Sequence, residues 1–331
     1  MSQQAQEETF LVRNGSLRIA AKRWGPANGY PILALHGWLD NANTWDELVP
    51  KVMSQHDGPL QVVAPDFAGH GRSEYRHVTT DYGPNKFVAD ILMVVEQLGW
   101  SSFALLGHSM GGAMATLVAG LLKTRITHMI LIDNLGPPFP PSSAADFAKF
   151  WAQSLKVQAL PTKPSKLLPS LEACVRVRAS GTEDMTMSIE AARTLMGRGA
   201  EAVSSPDGAT IQYRFTVDPR VRFIHFDLEI PGNVVDHFLA STKCPVLVLM
   251  GQNGAPYAKT MVEERAKLVK TLRVVTVKGY HHPHLDVGVD ECVAETLKWL
   301  SDYPLVPAAA SAGTQRTLRS ASISAKPKNK L

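Results

Sequence analysis

Two rhythms of apolar residues alternate along this chain, and one long stretch follows neither. Near the start, TFLVRNG and LRIAAKRWG are short β-rich runs, which predict an antiparallel pair or hairpin. Unbroken apolar runs then recur: PILALHG (31–37), LQVVAPD (60–66), FALLGHS (103–109), HMILID (128–133), PVLVLMG (245–251) and RVVTVKG (273–279). Apolar runs without alternation mark strands covered on both faces, as in a parallel sheet. Between them lie segments with apolar residues at helical spacing. In FVADILMVVEQLG (87–99), Val88, Ile91, Leu92, Val95 and Leu98 share a face and Gly99 closes the pattern. DECVAETLKWL (290–300) repeats that design near the other end. Strand and helix in alternation predict an α/β chain on a mostly parallel, doubly wound sheet.

The alternation stops after the sixth strand-like run. From Leu135 to Ala240 the chain opens on Pro137, Pro138, Pro140 and Pro141, then continues with helical stretches and few strand-like runs. An insertion of this length between two strands of one sheet is expected to form a helical cap over the strand ends. The expected organisation is a flexible N-terminus (1–8), a first core part (9–134), the cap (135–240) and a second core part (241–303). A disordered basic tail (304–331), rich in Ala, Ser, Lys and Pro, follows.

Composition narrows the function. At 45% hydrophobic and 19% charged, the chain is globular rather than disordered. Much of its net charge of +4 comes from Arg316, Arg319, Lys326, Lys328 and Lys330 in the tail. The remainder is close to neutral, so no nucleic-acid surface is expected. Cys174, Cys244 and Cys292 fit neither a zinc pattern nor a disulfide framework, which points to a reducing compartment. MSQQAQEETF lacks the regions of a secretory signal, and no stretch reaches the ~18 apolar residues of a membrane helix. A cytoplasmic protein without a membrane span is expected; nothing in the pattern speaks to its oligomeric state.

The chemistry starts at Gly107-His108-Ser109-Met110-Gly111. At background frequencies of about 7% each for Gly and Ser, G-x-S-x-G alone is weak. Here it stands between a buried strand and an amphipathic helix. On a tight strand-to-helix turn, flanking glycines let the two elements pass closely while Oγ is exposed at the strand's carboxyl end. Ser109 is therefore the candidate nucleophile. His108 is expected to pack beside the turn. PILALHG leads into Trp38, and the backbone N–H groups of Trp38 and Met110 are the candidate oxyanion hole. The ring of Trp38 is expected to overhang the pocket. The turn Asp66-Phe67-Ala68-Gly69-His70-Gly71-Arg72-Ser73 reads as scaffold.

The general base must follow the last strand, in Gly279-Tyr280-His281-His282-Pro283-His284. His281, nearest the strand end, is the candidate, with His282 the alternative and His284 a brace for the loop. Three close histidines could suggest a metal, yet no carboxylate or cysteine cluster elsewhere in the sequence completes a site. Neither metal nor cofactor is expected. The acid is the gap. The loop after PVLVLMG, where it usually lies, is Gly251-Gln252-Asn253-Gly254-Ala255-Pro256 and holds no carboxylate. HMILID ends in Asp133 on the correct side of the sheet, and Asp133 is the candidate acid.

These motifs resemble those of the α/β-hydrolase superfamily over about residues 8–303. LHGWLDNANTWDELVP, DFAGHGRSE, GHSMGG and GYHHPHL, with TLMGRGAEAV and TVDPRVRF in the cap, resemble the serine hydrolase-like, or kraken-like, group. The resemblance implies an α/β-hydrolase fold, with a helical cap after the sixth strand and the acid after either of two neighbouring strands. With serine rather than aspartate at the turn, epoxide hydrolase and dehalogenase chemistry are not expected. The mechanism these residues predict is that of a carboxylesterase-like enzyme acting on a small hydrophobic acyl substrate, with amide, thioester and carbon–carbon hydrolysis as the nearby options. The reading from another class is a weak or inactive hydrolase fold that binds a ligand, suggested by the bare Gly254. The C-terminal Asn329-Lys330-Leu331 resembles the peroxisomal Ser-Lys-Leu signal, making a peroxisomal import receptor a candidate partner.

Overall fold

The apolar runs become strands of one eight-stranded sheet in the computed structural model, which describes residues 4–306 except 140–142, 160–164, 182–184, 206 and 224–229. The strands are β1 (Gln6–Val12), β2 (Leu17–Trp24), β3 (Tyr30–Leu35), β4 (Leu60–Pro65), β5 (Phe103–His108), β6 (Ile126–Ile132), β9 (Val246–Gly251) and β10 (Leu272–Val277). Their order is β1-β2-β4-β3-β5-β6-β9-β10. β1 and β2 form the expected hairpin, β2 meets β4 antiparallel, and every remaining pair is parallel. β4, β5 and β9 are buried at every residue, as unbroken apolar runs require. β10 departs from that expectation. It is an edge strand, partly exposed along most of its length.

Helices cover both faces. α1 (Leu48–Gln55) and α9 (Val289–Asp302) pack on one; α2 (Pro84–Leu98), α3 (Met110–Leu122) and α8 (Pro256–Arg265) pack on the other. α2 starts with Pro84 in its first turn and stops at Gly99, whose φ of 67° suits a left-handed cap. The chain leaves β3 toward α1 on one face and leaves β5 toward α3 on the opposite face. Adjacent strands whose loops diverge in this way open a crevice at their carboxyl ends, where ligands of α/β sheets bind.

Two expected boundaries shift. Residues 6–8 are strand rather than flexible terminus, because their acids have partners the sequence hides. Glu8 pairs with Arg23 at 2.7 Å, and Glu7 meets Arg72 at 2.9 Å and Arg198 at 2.7 Å. At the other boundary, α7 (Gly232–Ser241) lies on α3 of the core, with Val235 and Leu239 buried there and Phe238 against Gly120. The tail from 307, with Asn329-Lys330-Leu331, and Pro140 and Pro141 lie outside the described residues. Among the described residues, no helix is long and apolar enough to cross a membrane.

The inserted segment carries α4 (Ala144–Ala159), α5 (Leu171–Ala179) and α6 (Ile189–Gly199). Ser170 and Ser188 accept hydrogen bonds from Ala173 and Ala191 and so start α5 and α6. A hairpin of β7 (Ala200–Ser204) and β8 (Ile211–Phe215) joins these helices. Its half-exposed sequences, AEAVS and IQYRF, carry no strong apolar signal. Cys174, Val175, Ala192, Leu195 and Met196 form a small core of their own, into which Leu285 of the histidine loop inserts.

Arg198 of α6 anchors this cap. Its guanidinium is buried, with Nε 2.7 Å from Asp66 Oδ2 and Nη1 2.7 Å from Glu7. Asp66 also accepts from the N–H groups of Ala42 and Arg72, consistent with a scaffold role for its turn. Burial pushes the Asp66 carboxyl up, and Arg198 opposes that rise. Arg198→Met should therefore destabilise the protein by about 3–5 kcal/mol, by stranding a buried carboxylate. Urea unfolding checks this, and Asp66→Asn added to Arg198→Met should recover part of the loss. A loss too small to resolve by that measurement would contradict the anchor.

Candidate active site

Ser109 stands between β5 and α3 with φ 49° and ψ −117°, a conformation that costs a non-glycine residue about 1–3 kcal/mol. The surroundings enforce it. A Cβ on Gly111 would stand 1.9 Å from the Leu35 carbonyl oxygen, so only glycine lets α3 start this close to β3. The Ser109 N–H keeps its sheet bond to the Ile132 carbonyl at 3.0 Å. Met110 is the first residue of α3, so its N–H has no acceptor within the helix.

The three residues singled out for chemistry come together in one buried line. His281 Nε2 lies 2.8 Å from Ser109 Oγ, and His281 Nδ1 lies 2.5 Å from Asp133 Oδ2. Because a carboxylate only accepts, Nδ1 carries the proton and Nε2 offers its lone pair to the serine hydroxyl. Asp133 directly follows β6 and His281 follows β10, so the carboxylate reaches across the end of β9, which lies between them. Gly251 and Ala255 donate backbone N–H groups to it at 3.3 and 3.1 Å.

That placement accounts for the bare loop after β9. A Cβ on Gly254 would stand 2.4 Å from Asp133 Oδ1. The space beside Gly254 is filled by the Asp133 carboxylate, so a side chain at 254 and an acid at 133 exclude each other.

The geometry has matching relatives. A profile of the α/β hydrolase fold matches residues 30–169. A serine hydrolase-like protein of Dictyostelium discoideum is 28% identical over 291 residues, 85% of this chain and 78% of its own length. One of Danio rerio is 29% identical over 297 residues, covering 86% of each chain. The crystal structure of a hypothetical protein from Pseudomonas aeruginosa PAO1 superposes with a TM-score of 0.76 at 33% identity, covering 89% of this chain and 99% of that one. The chain belongs to the α/β-hydrolase family. Within it, its relatives place it in the serine hydrolase-like group.

The other histidines of this hydrolase take supporting positions. His282 Nε2 points to Asp40 Oδ2 at 3.1 Å, away from Ser109. His284 Nε2 meets Thr44 Oγ1 at 2.9 Å, and its ring lies 5.0 Å from that of Trp45, bracing the loop as expected. His108 packs beside the turn and donates Nε2–H to the His281 carbonyl at 2.8 Å. Trp38 follows β3 with its ring partly exposed, and its Nε1 donates to the Val221 carbonyl of the cap at 3.0 Å.

Asp40 escaped the sequence reading. Its only signal was membership of the LHGWLDNANTW motif. With His108 and His282 it forms a buried trio whose donor atoms lie within 4.8 Å, a carboxylate that the sequence did not bring to the histidines and a set able to ligate a metal. Arg178 of α5 already supplies a cation, its Nη2 2.6 Å from Asp40 Oδ1 and 3.3 Å from His282 Nε2. A divalent ion would face that guanidinium, so the trio reads as a hydrogen-bonded cluster.

An open cleft of about 630 Å³ lies elsewhere, lined by Arg18, Arg72, Arg198, Arg214, Glu74 and Glu201 among others. It contains none of the residues of the Ser109 line, and each of these arginines is paired with a carboxylate.

Two outcomes follow from this packing. Gly254→Ala should sharply lower activity, measured as turnover of a nitrophenyl ester, because its methyl group displaces the Asp133 carboxylate; unchanged turnover would contradict the exclusion. The second concerns acid stability. Burial lowers His36 to about 4 and His70 and His282 to about 3. Unfolded, these imidazoles charge near pH 6.5, so unfolding takes up protons as the pH falls below that value. Their contribution is complete above pH 6.5 and is lost toward pH 3–4, by up to about 1.4 kcal/mol per histidine per pH unit. Melting temperatures at constant ionic strength should fall steeply across that window. A flat profile would contradict neutral burial.

Proposed function

We propose that this hydrolase cleaves a carboxylic ester, or a related acyl bond, of a small hydrophobic substrate through an acyl-enzyme on Ser109. The observation that carries the reading is His281, held at 2.5 Å from Asp133 and 2.8 Å from Ser109. Ser109 Oγ attacks the carbonyl carbon as its proton passes to His281 Nε2. The carbonyl oxygen, now an anion, rests on the N–H groups of Trp38 and Met110, dipoles fixed before the reaction. The imidazolium, stabilised by ionised Asp133, gives its proton to the leaving alkoxide, and the alcohol departs. Water, deprotonated by the same nitrogen, attacks the acyl-enzyme; the acid leaves and the proton returns to Oγ. The chemistry draws only on side chains and backbone amides of this chain. Tyr257, with its ring 6.3 Å from that of His281, offers apolar surface for an acyl or alcohol group.

The ligand-binding reading drew on the missing carboxylate at Gly254. Asp133 standing beside that glycine favours the enzyme instead. A fluorophosphonate probe should label the wild type and not Ser109→Ala. Asp133→Asn should keep the fold by circular dichroism and lose turnover by roughly 10⁴-fold, as the imidazole loses its tautomer and its counter-charge. Absence of labelling in the wild type would sink the reading.

A further inference from the structure

The turn after β3 is strained, and it is clamped from two sides. Asp40 N–H donates to the Gly37 carbonyl at 3.2 Å, closing a turn in which Leu39 has φ 62°. A leucine in the left-handed region costs about 1–2 kcal/mol, so the surroundings must hold it there. Beneath the turn lies the fully buried Asp40 carboxylate. A Cβ on Gly37 would stand 2.9 Å from Asp40 Oδ2 and 2.7 Å from His108 Nδ1, which shows how closely the turn sits on this cluster.

Four segments meet at that carboxylate. Arg178 from cap helix α5 donates to Oδ1 at 2.6 Å, and His282 from the base loop donates to Oδ2 at 3.1 Å. His108, the residue before the nucleophile, lies 3.3 Å from the same oxygen. Its Nε2–H is committed to the His281 carbonyl, so burial, which keeps this imidazole neutral, leaves Nδ1 without a proton to donate. The donors to Asp40 are therefore Arg178 and His282. Burial alone would raise the Asp40 pKa, but these partners outweigh it and keep the carboxylate ionised. From above, the same loop grips the cap: Asn41 donates to the Leu195 carbonyl at 3.0 Å, Asn43 to Thr194 at 2.8 Å and the Trp38 ring to Val221 at 3.0 Å.

We propose that Asp40 is a positioning residue: clamped by Arg178, it fixes the Gly37–Asp40 turn and with it the Trp38 N–H, so that seating the cap and assembling the oxyanion hole are one event. The inference rests on the acyl-transfer reading. Asp40 touches no reacting atom. It acts through the backbone it holds, and Arg178 makes that hold depend on the cap.

The test compares Asp40→Asn, Arg178→Met and Arg178→Lys with the wild type, using a nitrophenyl ester and a trifluoromethyl ketone that mimics the tetrahedral intermediate. Losing the placement of one oxyanion donor should lower kcat by roughly 10²-fold, with KM little changed. The inhibition constant for the ketone should rise by the same factor as kcat/KM falls. Inhibition by the product alcohol, which places no oxyanion on those N–H groups, should stay as in wild type, which a general loss of structure would not allow. Arg178→Lys should recover part of what Arg178→Met loses, and Asp40→Asn with Arg178→Met should be no worse than Asp40→Asn. If Asp40→Asn does not fold, Arg178→Met, altered at a partly exposed side chain, carries the comparison. Unchanged ketone affinity in the folded variants, or a loss matching only the fraction of sites titrated by a fluorophosphonate, would overturn the inference. A wild type that the fluorophosphonate does not label would instead overturn the acyl-transfer reading beneath it.

Discussion

His281 has two neighbours, one on each ring nitrogen, and they arrive from different strands. Asp133 comes from the end of β6, Ser109 from the end of β5, and the histidine itself from beyond β10. The hydrogen bond to Asp133 spans the width of β9, and the loop after β9 gives way to let it pass. Gly251 and Ala255 turn their N–H groups to the carboxylate, and Gly254 leaves it room. Without that bond the imidazole could take either tautomer, and Ser109 would be a strained serine with no defined acceptor for its proton.

The cap is bound into the same machinery rather than resting on it. Arg198 reaches the turn after β4 through Asp66 and strand β1 through Glu7, while Arg178 reaches the turn after β3 through Asp40. Leu285, four residues before α9 begins at Val289, packs into the cap's own core. The histidine loop thus has one end in the site and another under the cap. Both loops that shape the site therefore hold contacts with the cap.

Much of this was legible in the sequence, for definable reasons. Buried parallel strands announce themselves by unbroken apolar runs, and the turn at Ser109 is forced into a glycine-flanked pattern by close packing. His281 followed from its place after the last strand, and Asp133 from being a carboxylate at a strand end on the correct side. What stayed hidden depends on pairs of residues far apart in the chain. Glu7 and Glu8 looked like a solvated terminus until Arg198 and Arg23 stood opposite them. Asp40 and Arg178 are 138 residues apart, and neither carries a local pattern that names the other. The β7–β8 hairpin, half exposed and charged, gave no periodic signal, and α7 read as cap because its contact with α3 is tertiary.

The proposed chemistry depends on the Asp133 carboxylate holding the His281 Nδ1 proton. Proton NMR tests it most directly, by way of a far-downfield imidazole N–H resonance assigned to His281. That resonance should be present in the wild type, survive Ser109→Ala and disappear in Asp133→Asn. Its persistence in a folded Asp133→Asn protein would mean that another acceptor holds the histidine and that the account of the acid is wrong.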